Sequence, residues 1–246
     1  MDTGSGVLPL RVLTLNAQKG RADPAAVVRE IERHRVDVLM VQDLTPGMMQ
    51  RLADASVDTL PPFCHLDLRP GPDRTGLWAR WPLTPLPPVP GLVAAAPRAR
   101  MEPVDGCPVT LTGVHLRAPM RHRVRRWQRE LAARRSALAG TGGHQVVAGD
   151  FNATRDHRPF RDLLDAGFLD CADAARRRPG RDSPGQSAAG FPGHAPRPRA
   201  RLPERGHGLR SRIIRVPGTD HRGVLAVIEL APTGSGQQAI KARRPQ

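Results

Sequence analysis

Two stretches of this chain are too apolar to sit at a surface and too short to make a helix. VDVLMVQD (36–43) is a near-continuous apolar run, and QVVA (145–148) is another, each closing on polar residues. Runs of this length and character are buried strands, covered on both faces, so the chain needs layers of structure on either side of a sheet. Around them the pattern alternates between strand and helix. LRVLTLNAQKG (10–20) alternates apolar and polar residues and breaks at Asn16, as a strand running into a loop does. Residues 24–35 carry Ala26, Val27 and Ile31 at helical offsets, behind Asp23 as N-cap and Pro24 at the first helical position.

Further along, TGLWARWPL (75–83) and PVTLTGVHL (108–116) read as two more strands, the second delivering His115 near its end. Residues 120–139 predict a basic helix with Val124, Trp127, Leu131 and Leu138 towards the core, and 159–165 a further helical stretch. RIIRVPG and GVLAVIEL are two strands joined through a loop that holds Asp220 and His221. By contrast, residues 176–210 are rich in Arg, Pro, Gly and Ser with almost no aliphatic residue, which predicts an irregular or disordered loop. One domain over 8–230 is expected, with flexible tails at 1–7 and 231–246.

Composition narrows the partners. With 246 residues and 39% hydrophobic content the chain buries a core without staples, and Cys64, Cys107 and Cys171 are too few and too widely spaced for a disulfide framework or a zinc site. A reducing, cytoplasmic location and a monomer are expected. No stretch approaches the roughly 18 apolar residues of a membrane span. The formal charge of +15 invites a polyanion, but arginine is scattered throughout and only Lys19 and Lys241 are lysine. Aromatics are 3% and tyrosine is absent, which argues against a stacking platform for single-stranded bases. A cluster of arginines at 121–135 (Arg121, Arg123, Arg125, Arg126, Arg129, Arg134, Arg135) is either a polyanion-facing surface or a solvated helix face.

The chemistry lies in the strand ends. Asn16, Asp43, His115, the pair Asp150 and Asn152, and the pair Asp220 and His221 all follow or close a strand. A lone Asp after a strand is ordinarily a turn residue or a helix cap, and a lone His a core-edge residue. Together they supply carboxylates for a hard divalent cation, two histidines able to exchange protons near neutral pH, and amides that donate to a phosphate oxygen. That inventory suits metal-assisted phosphoester hydrolysis.

In this order the pieces VLTLN, DVLMVQD, GLWARWPL, VTLTGVHL, VVAGDFNA and PGTDHRGVLAVIEL resemble the endonuclease/exonuclease/phosphatase superfamily, whose fold is shared with pancreatic DNase I. The resemblance spans residues 10–230 except for 176–210, and GDFN followed by TDHRGV is its specific part. It implies an α/β fold, a DNase I-like four-layer sandwich of two mixed β-sheets packed face to face with flanking helices. It implies a Mg²⁺ or Mn²⁺ ion, with Asn16, Asp43 and Asp220 at the metal site and Asp43 the direct ligand. Asp150 would position or deprotonate the attacking water, Asn152 would hydrogen-bond the phosphoryl oxygen, His115 would contact the same phosphate, and His221 would act as general acid/base or electrophilic partner. The resemblance implies a phosphoester substrate, whether nucleic acid, phospholipid headgroup or small molecule.

The chain departs from the family twice. Where the family has a Gln-Glu pair, this chain has Gln42-Asp43, one methylene shorter. The family also has a strand of the form Arg-Ile-Asp-(Tyr/His) upstream of the terminal Asp-His, whose acid orients the histidine. No such strand is legible in 190–210, where Glu204 is the only acid and Asp182 lies further upstream. A catalytically impaired metal- and phosphate-binding module of the same fold is therefore the alternative to an active hydrolase.

Overall fold

The structure is a computed structural model, and it describes residues 8–55, 60–68, 74–89, 95–103, 107–116, 124–139, 143–171, 199–201 and 209–230. Two six-stranded mixed sheets carry it. The first is built from β1 (Leu8–Asn16), β2 (Val38–Gln42), β3 (Phe63–Asp67), β4 (Thr75–Ala79), β11 (Leu209–Arg215) and β12 (Arg222–Leu230), in the order β11-β12-β1-β2-β4-β3. The second is built from β5 (Thr84–Pro85), β6 (Arg98–Met101), β7 (Val109–His115), β8 (His144–Asp150), β9 (Leu169–Asp170) and β10 (Arg199–Arg201), in the order β5-β6-β7-β8-β10-β9. The helices are α1 (Pro24–His34), α2 (Pro46–Ala55), α3 (Val124–Ala139) and α4 (Arg158–Asp165).

Three apolar clusters define four layers. Leu10, Val12, Val38, Met40, Leu111, Val146 and Ala148 meet between the two sheets. Leu13, Leu15, Val27, Ile31, Leu39 and Val41 bind α1 and α2 to the outer face of the first sheet. Trp127, Leu131, Val147, Phe151 and Phe160 bind α3 and α4 to the outer face of the second. This is the four-layer sandwich expected, and the near-continuous apolar runs follow from it: both faces of β1, β2, β7 and β8 are covered.

Each sheet has one parallel pair closed by a helical crossover. β1 and β2 run parallel around α1, with Asn16 opposite Gln42, and β7 and β8 run parallel around α3, with His115 opposite Asp150. Both units therefore send the carboxyl ends of their strands to the same rim. Along each inward-facing row, apolar residues give way to polar ones there: Leu10 and Val12 lead to Thr14 and Asn16, and Val146 and Ala148 lead to Asp150. α1 is capped by Asp23, whose carboxylate accepts from the Ala25 N–H at 3.0 Å, and ends at Arg35 in a left-handed conformation with φ 49°.

Several elements depart from expectation, the two-residue strands β5 and β9 among them. The stretch 176–210 is not wholly irregular, since Arg199–Arg201 form β10, antiparallel to β8 with Arg199 opposite Val147, and β11 begins at Leu209. Pairing with an open strand edge is a backbone matter, so it needs no aliphatic residues. The other residues of that stretch, with Glu204 and Asp182, lie outside the described ones, as do the tails at 1–7 and 231–246. α2 and the short strands β3 and β6 were not legible, because their burial comes from one face or a few rungs. In α3, Trp127 and Leu131 are buried while Arg125, Arg126 and Arg129 are exposed; the side chains of Val124, Arg134, Arg135 and Leu138, and all of Arg121 and Arg123, lie outside the described residues. Among the described residues no helix is long and apolar enough to cross a membrane.

Candidate active site

The rim is organised around Asp150. Its backbone closes β8 after Gly149, which has φ 143° and packs so tightly that an added Cβ would lie 1.9 Å from the Val114 carbonyl oxygen. Only glycine allows β7 and β8 to approach this closely. The carboxylate is then held by two N–H donors. Asn16 Nδ2 donates to Asp150 Oδ2 at 3.0 Å from the opposite sheet, and the Asn152 backbone N–H donates to Oδ1 at 2.9 Å. Asp150 is 1% exposed, so its orientation is set by these bonds rather than by water. Phe151, between the two polar residues, turns back into the core between α3 and α4, and its carbonyl accepts from Trp127 Nε1 at 3.4 Å.

Asn152 adopts a left-handed backbone with φ 44° and donates one amide hydrogen to the Leu116 carbonyl. An amide has two hydrogens, and the second makes no hydrogen bond among the described residues, so it can donate elsewhere. Asn16 is committed at both ends, because its Oδ1 accepts from the Gln18 N–H at 2.8 Å. That makes it a brace for Asp150 and for the loop after β1.

Asp43 explains one departure from the family. It sits at φ 56°, in the left-handed region where Asn and Asp are several-fold enriched and where longer side chains pay more. The backbone turn breaks the strand alternation and swings the carboxylate to the rim. Asp43 Oδ2 accepts from the Lys19 N–H at 3.2 Å, and Oδ1 lies 3.9 Å from His115 Nδ1. That nitrogen is buried and has no hydrogen-bond partner among the described residues. Gln42, beside Asp43 in sequence, points the other way into the sandwich, donating to Thr14 Oγ1 and the Met40 carbonyl.

The last side chain arrives with the loop before β12. His221 Nδ1 lies 3.7 Å from Asp150 Oδ2 and Nε2 lies 3.6 Å from Asp220 Oδ1, so the ring stands between two carboxylates. The loop is pinned by contacts that local sequence does not announce. Thr219 Oγ1 donates to the Asn16 carbonyl at 2.9 Å and accepts from the His221 N–H at 3.1 Å, while the Asp220 N–H donates to Gln18 Oε1 at 3.1 Å. Gln18 and Thr219 are thus site residues that the sequence did not single out. Of the seven residues singled out, Asn16, Asp43, His115, Asp150, Asn152 and His221 converge, and Asp220 stands at the solvent side with a side chain 67% exposed.

The donors suit a hard cation of one kind. Asp43, Asp150 and Asp220 offer carboxylate oxygens, Asn16 Oδ1 keeps a second lone pair beside its bond from the Gln18 N–H, and His115 Nδ1 is a buried polar atom in want of a partner among the described residues. Among the described residues no three His, Cys, Asp or Glu side chains form a closed ligand group. Mg²⁺ commonly takes only one or two carboxylates and completes its octahedron with water and substrate phosphate, and the residues fit a cation held in that way. The strand beside β8, in the place where the family's orienting acid is expected, reads Arg-Ala-Arg.

A sequence model described as Endonuclease/Exonuclease/phosphatase family matches residues 13–225. No curated protein matches the chain in sequence. Among solved structures, TDP2 of D. rerio complexed with single-strand DNA product superposes with a TM-score of 0.66 at 17% identity, covering 89% of this chain and 98% of that one. An AP endonuclease from Archaeoglobus fulgidus gives 0.63 at 14% identity, with 89% and 99% covered. An endonuclease/exonuclease/phosphatase from Beutenbergia cavernae gives 0.63 at 17%, with 91% and 72% covered. At such identities the likeness is one of fold.

Proposed function

The chain belongs to the Endonuclease/Exonuclease/phosphatase family, and from that premise we propose that it is a divalent-metal-dependent phosphoric ester hydrolase. The observation that carries this reading is the assembly on Asp150, which receives Asn16 Nδ2 at 3.0 Å from the other sheet and faces His221 Nδ1 at 3.7 Å. Three distant segments converge on one buried carboxylate, which neither a turn nor a helix cap requires.

In this reading Asp43 holds Mg²⁺ or Mn²⁺, with Asp220 and the Asn16 amide oxygen at its margin. The bound ion supplies charge neutralisation to the phosphoryl group. Asp150, fixed by its two donors, aligns the attacking water and accepts its proton. Asn152 offers its second amide hydrogen to a phosphoryl oxygen, where charge grows in the transition state. His115 contacts the same phosphate. His221 exchanges a proton at the nitrogen nearer the substrate while a carboxylate steadies the other, the arrangement that sets an imidazole's tautomer. The neighbours in fold include a protein solved with a DNA product and one described as an AP endonuclease, so nucleic acid heads the substrates to be tried, followed by phosphoinositides and small diesters.

The test is hydrolysis of bis(p-nitrophenyl) phosphate, plasmid DNA and phosphoinositides with Mg²⁺ and with EDTA. Metal-dependent turnover abolished by Asp150→Asn and by His221→Ala is expected; a wild type no more active than His221→Ala on every substrate sinks the proposal.

A second reading has an observation of its own. The described part of the strand beside β8 carries two arginines and no acid, so the orienter familiar from the family has no counterpart there. In that reading the chain is a metal- and phosphate-binding module with little turnover. A Mg²⁺-dependent rise in melting temperature without hydrolysis supports it, because a ligand that binds only the native state stabilises it by mass action. Turnover lost in Asp150→Asn removes it.

A further inference from the structure

We infer that Lys19 is a substrate-binding residue, whose ammonium holds a non-bridging oxygen of the phosphoester at the edge of the rim beside Asp43. The inference rests on the hydrolase reading and adds to it a cation.

The turn that carries Lys19 is costly and firmly held. Gln18 and Lys19 have φ 49° and 55°, followed by Gly20 at 74°, so two consecutive L-residues sit in the left-handed region. Side chains rarely tolerate this, and such outliers persist only where the surroundings over-determine them. Here the surroundings are the site itself. The Gln18 N–H donates to Asn16 Oδ1, the Lys19 N–H donates to Asp43 Oδ2, and Gln18 Oε1 accepts from the Asp220 N–H. From the other side Arg51 Nη2 donates to the Gly20 carbonyl at 2.7 Å, and an added Cβ at Gly20 would lie 2.3 Å from Thr45 Oγ1. A turn fixed to Asn16, Asp43 and Asp220 at once holds the root of the Lys19 side chain in one place relative to all three.

Charge says what that side chain is for. Among the described residues, the ion pairs of Asp43, Asp150 and Asp220 are with His115 and His221 alone, at 3.6 to 3.9 Å. A phosphoester brings further negative charge to three carboxylates. Lys19 is exposed and makes no ion pair among the described residues, while its own backbone is 3.2 Å from the Asp43 carboxylate. It is therefore an uncommitted cation whose backbone is tied to the Asp43 carboxylate of an anionic site that must admit an anion.

The residue type sharpens this. The chain has 38 Lys and Arg together, yet its only lysines are Lys19 and Lys241. A guanidinium at this turn would match the planar fork of a carboxylate and clamp Asp43. A lysine is a compact point charge on a flexible stem, able to meet a phosphate oxygen while leaving the carboxylate open.

The experiment measures KM and kcat separately for bis(p-nitrophenyl) phosphate with Mg²⁺ in wild type, Lys19→Met, Lys19→Arg and Lys19→Gly, with melting temperatures and a parallel titration of inorganic phosphate by calorimetry. Lys19→Met is expected to raise KM about tenfold with kcat within about threefold, the pattern of a lost ground-state contact to a charged group. Its melting temperature stays put, because the bond to Asp43 uses the backbone N–H. Lys19→Gly, which relaxes φ 55°, shows the same KM at no loss of melting temperature. Lys19→Arg keeps KM within about threefold of wild type and lowers kcat by pairing with Asp43. An unchanged KM in Lys19→Met overturns the inference, as does a loss of kcat and melting temperature with KM intact, which marks a purely structural turn. A wild type without turnover strikes the hydrolase reading instead. Lys19 is then judged by phosphate affinity, about tenfold weaker in Lys19→Met if the inference holds and equal if it fails.

Discussion

Replacing Gly149 by alanine puts a methyl group where the neighbouring strand already is. The new Cβ would stand 1.9 Å from the Val114 oxygen, 2.8 Å from its carbonyl carbon and 2.9 Å from its nitrogen, all backbone atoms that cannot rotate away. Real Cβ atoms essentially never come within 3.0 Å of such an atom, so β7 and β8 must part by about 1 Å. One or two ladder bonds at about 1 kcal/mol each weaken, and an L-residue held near φ 143° adds about 1–3 kcal/mol. A total near 3–4 kcal/mol corresponds to a fall of about 6–15 °C in melting temperature for a domain of this size. The next rung of the same pair is His115 opposite Asp150, so the displacement also reaches the site. A misplacement of about 1 Å costs on the order of 10²-fold in rate. Thermal melting and kcat/KM on a diester give the two readouts, with Gly113→Ala as control. At Gly113 the nearest atoms are side chains, Thr75 Cγ2 at 3.1 Å and Pro97 Cγ at 3.2 Å, so that variant should lose no more than about 1 kcal/mol. Should Gly149→Ala melt within about 2 °C of wild type and keep its activity, the argument that this glycine is needed for strand approach is refuted.

Three other perturbations separate the remaining ideas. Asp43→Glu restores the residue usual in the family, yet should lower stability by about 1 kcal/mol and lower activity too, because glutamate is a poorer left-handed residue than aspartate; a gain in activity would contradict this. Asn16→Ala removes the 3.0 Å brace on Asp150 and leaves buried polar groups unpaired, for a loss of about 1–3 kcal/mol in urea unfolding together with a large fall in kcat; an effect on stability alone would deny Asn16 its positioning role. Burial pushes the Asp37 carboxyl above its ordinary value, outweighing the Arg11 backbone N–H and the guanidiniums of Arg11 and Arg80. The folded state then binds this proton more tightly than the unfolded one, so the contribution is full below the unfolded pKa and lost as pH rises through the folded value. Urea midpoints of Asp37→Asn should fall less than those of wild type from about pH 4 upward through the weakly acidic range, and parallel curves would exclude the effect.

Much of the site was legible because its residues close strands. The rows Val146, Ala148, Asp150 and Leu10, Val12, Thr14, Asn16 show their inner faces by period two, and GDFN with TDH carried the family resemblance. The gaps fell where burial leaves no periodic trace. β10 pairs with β8 through the backbone ladder and reads Arg-Ala-Arg, which no hydrophobic pattern marks as a strand. Gln18 and Thr219 look like turn residues, and their role comes from partners about two hundred positions away, Asp220 for one and Asn16 for the other. Asp43 read only as a departure one methylene shorter than the family's acid, since the missing methylene was visible and the left-handed backbone that favours aspartate was not.

The amino-acid sequence by itself determined the long buried strands and the helices α1, α3 and α4, the faces they bury, and the side chains that close the strands. These properties are local, set by periodicity, capping and residue type within a dozen positions. Only the tertiary structure decided what those side chains do to one another. The bond from Asn16 to Asp150 joins residues 134 positions apart across two sheets, and His221 reaches the same carboxylate from the far end of the chain. Such contacts depend on how the sheets stack and on a glycine that lets two strands close to van der Waals distance, and no local pattern encodes the space between layers.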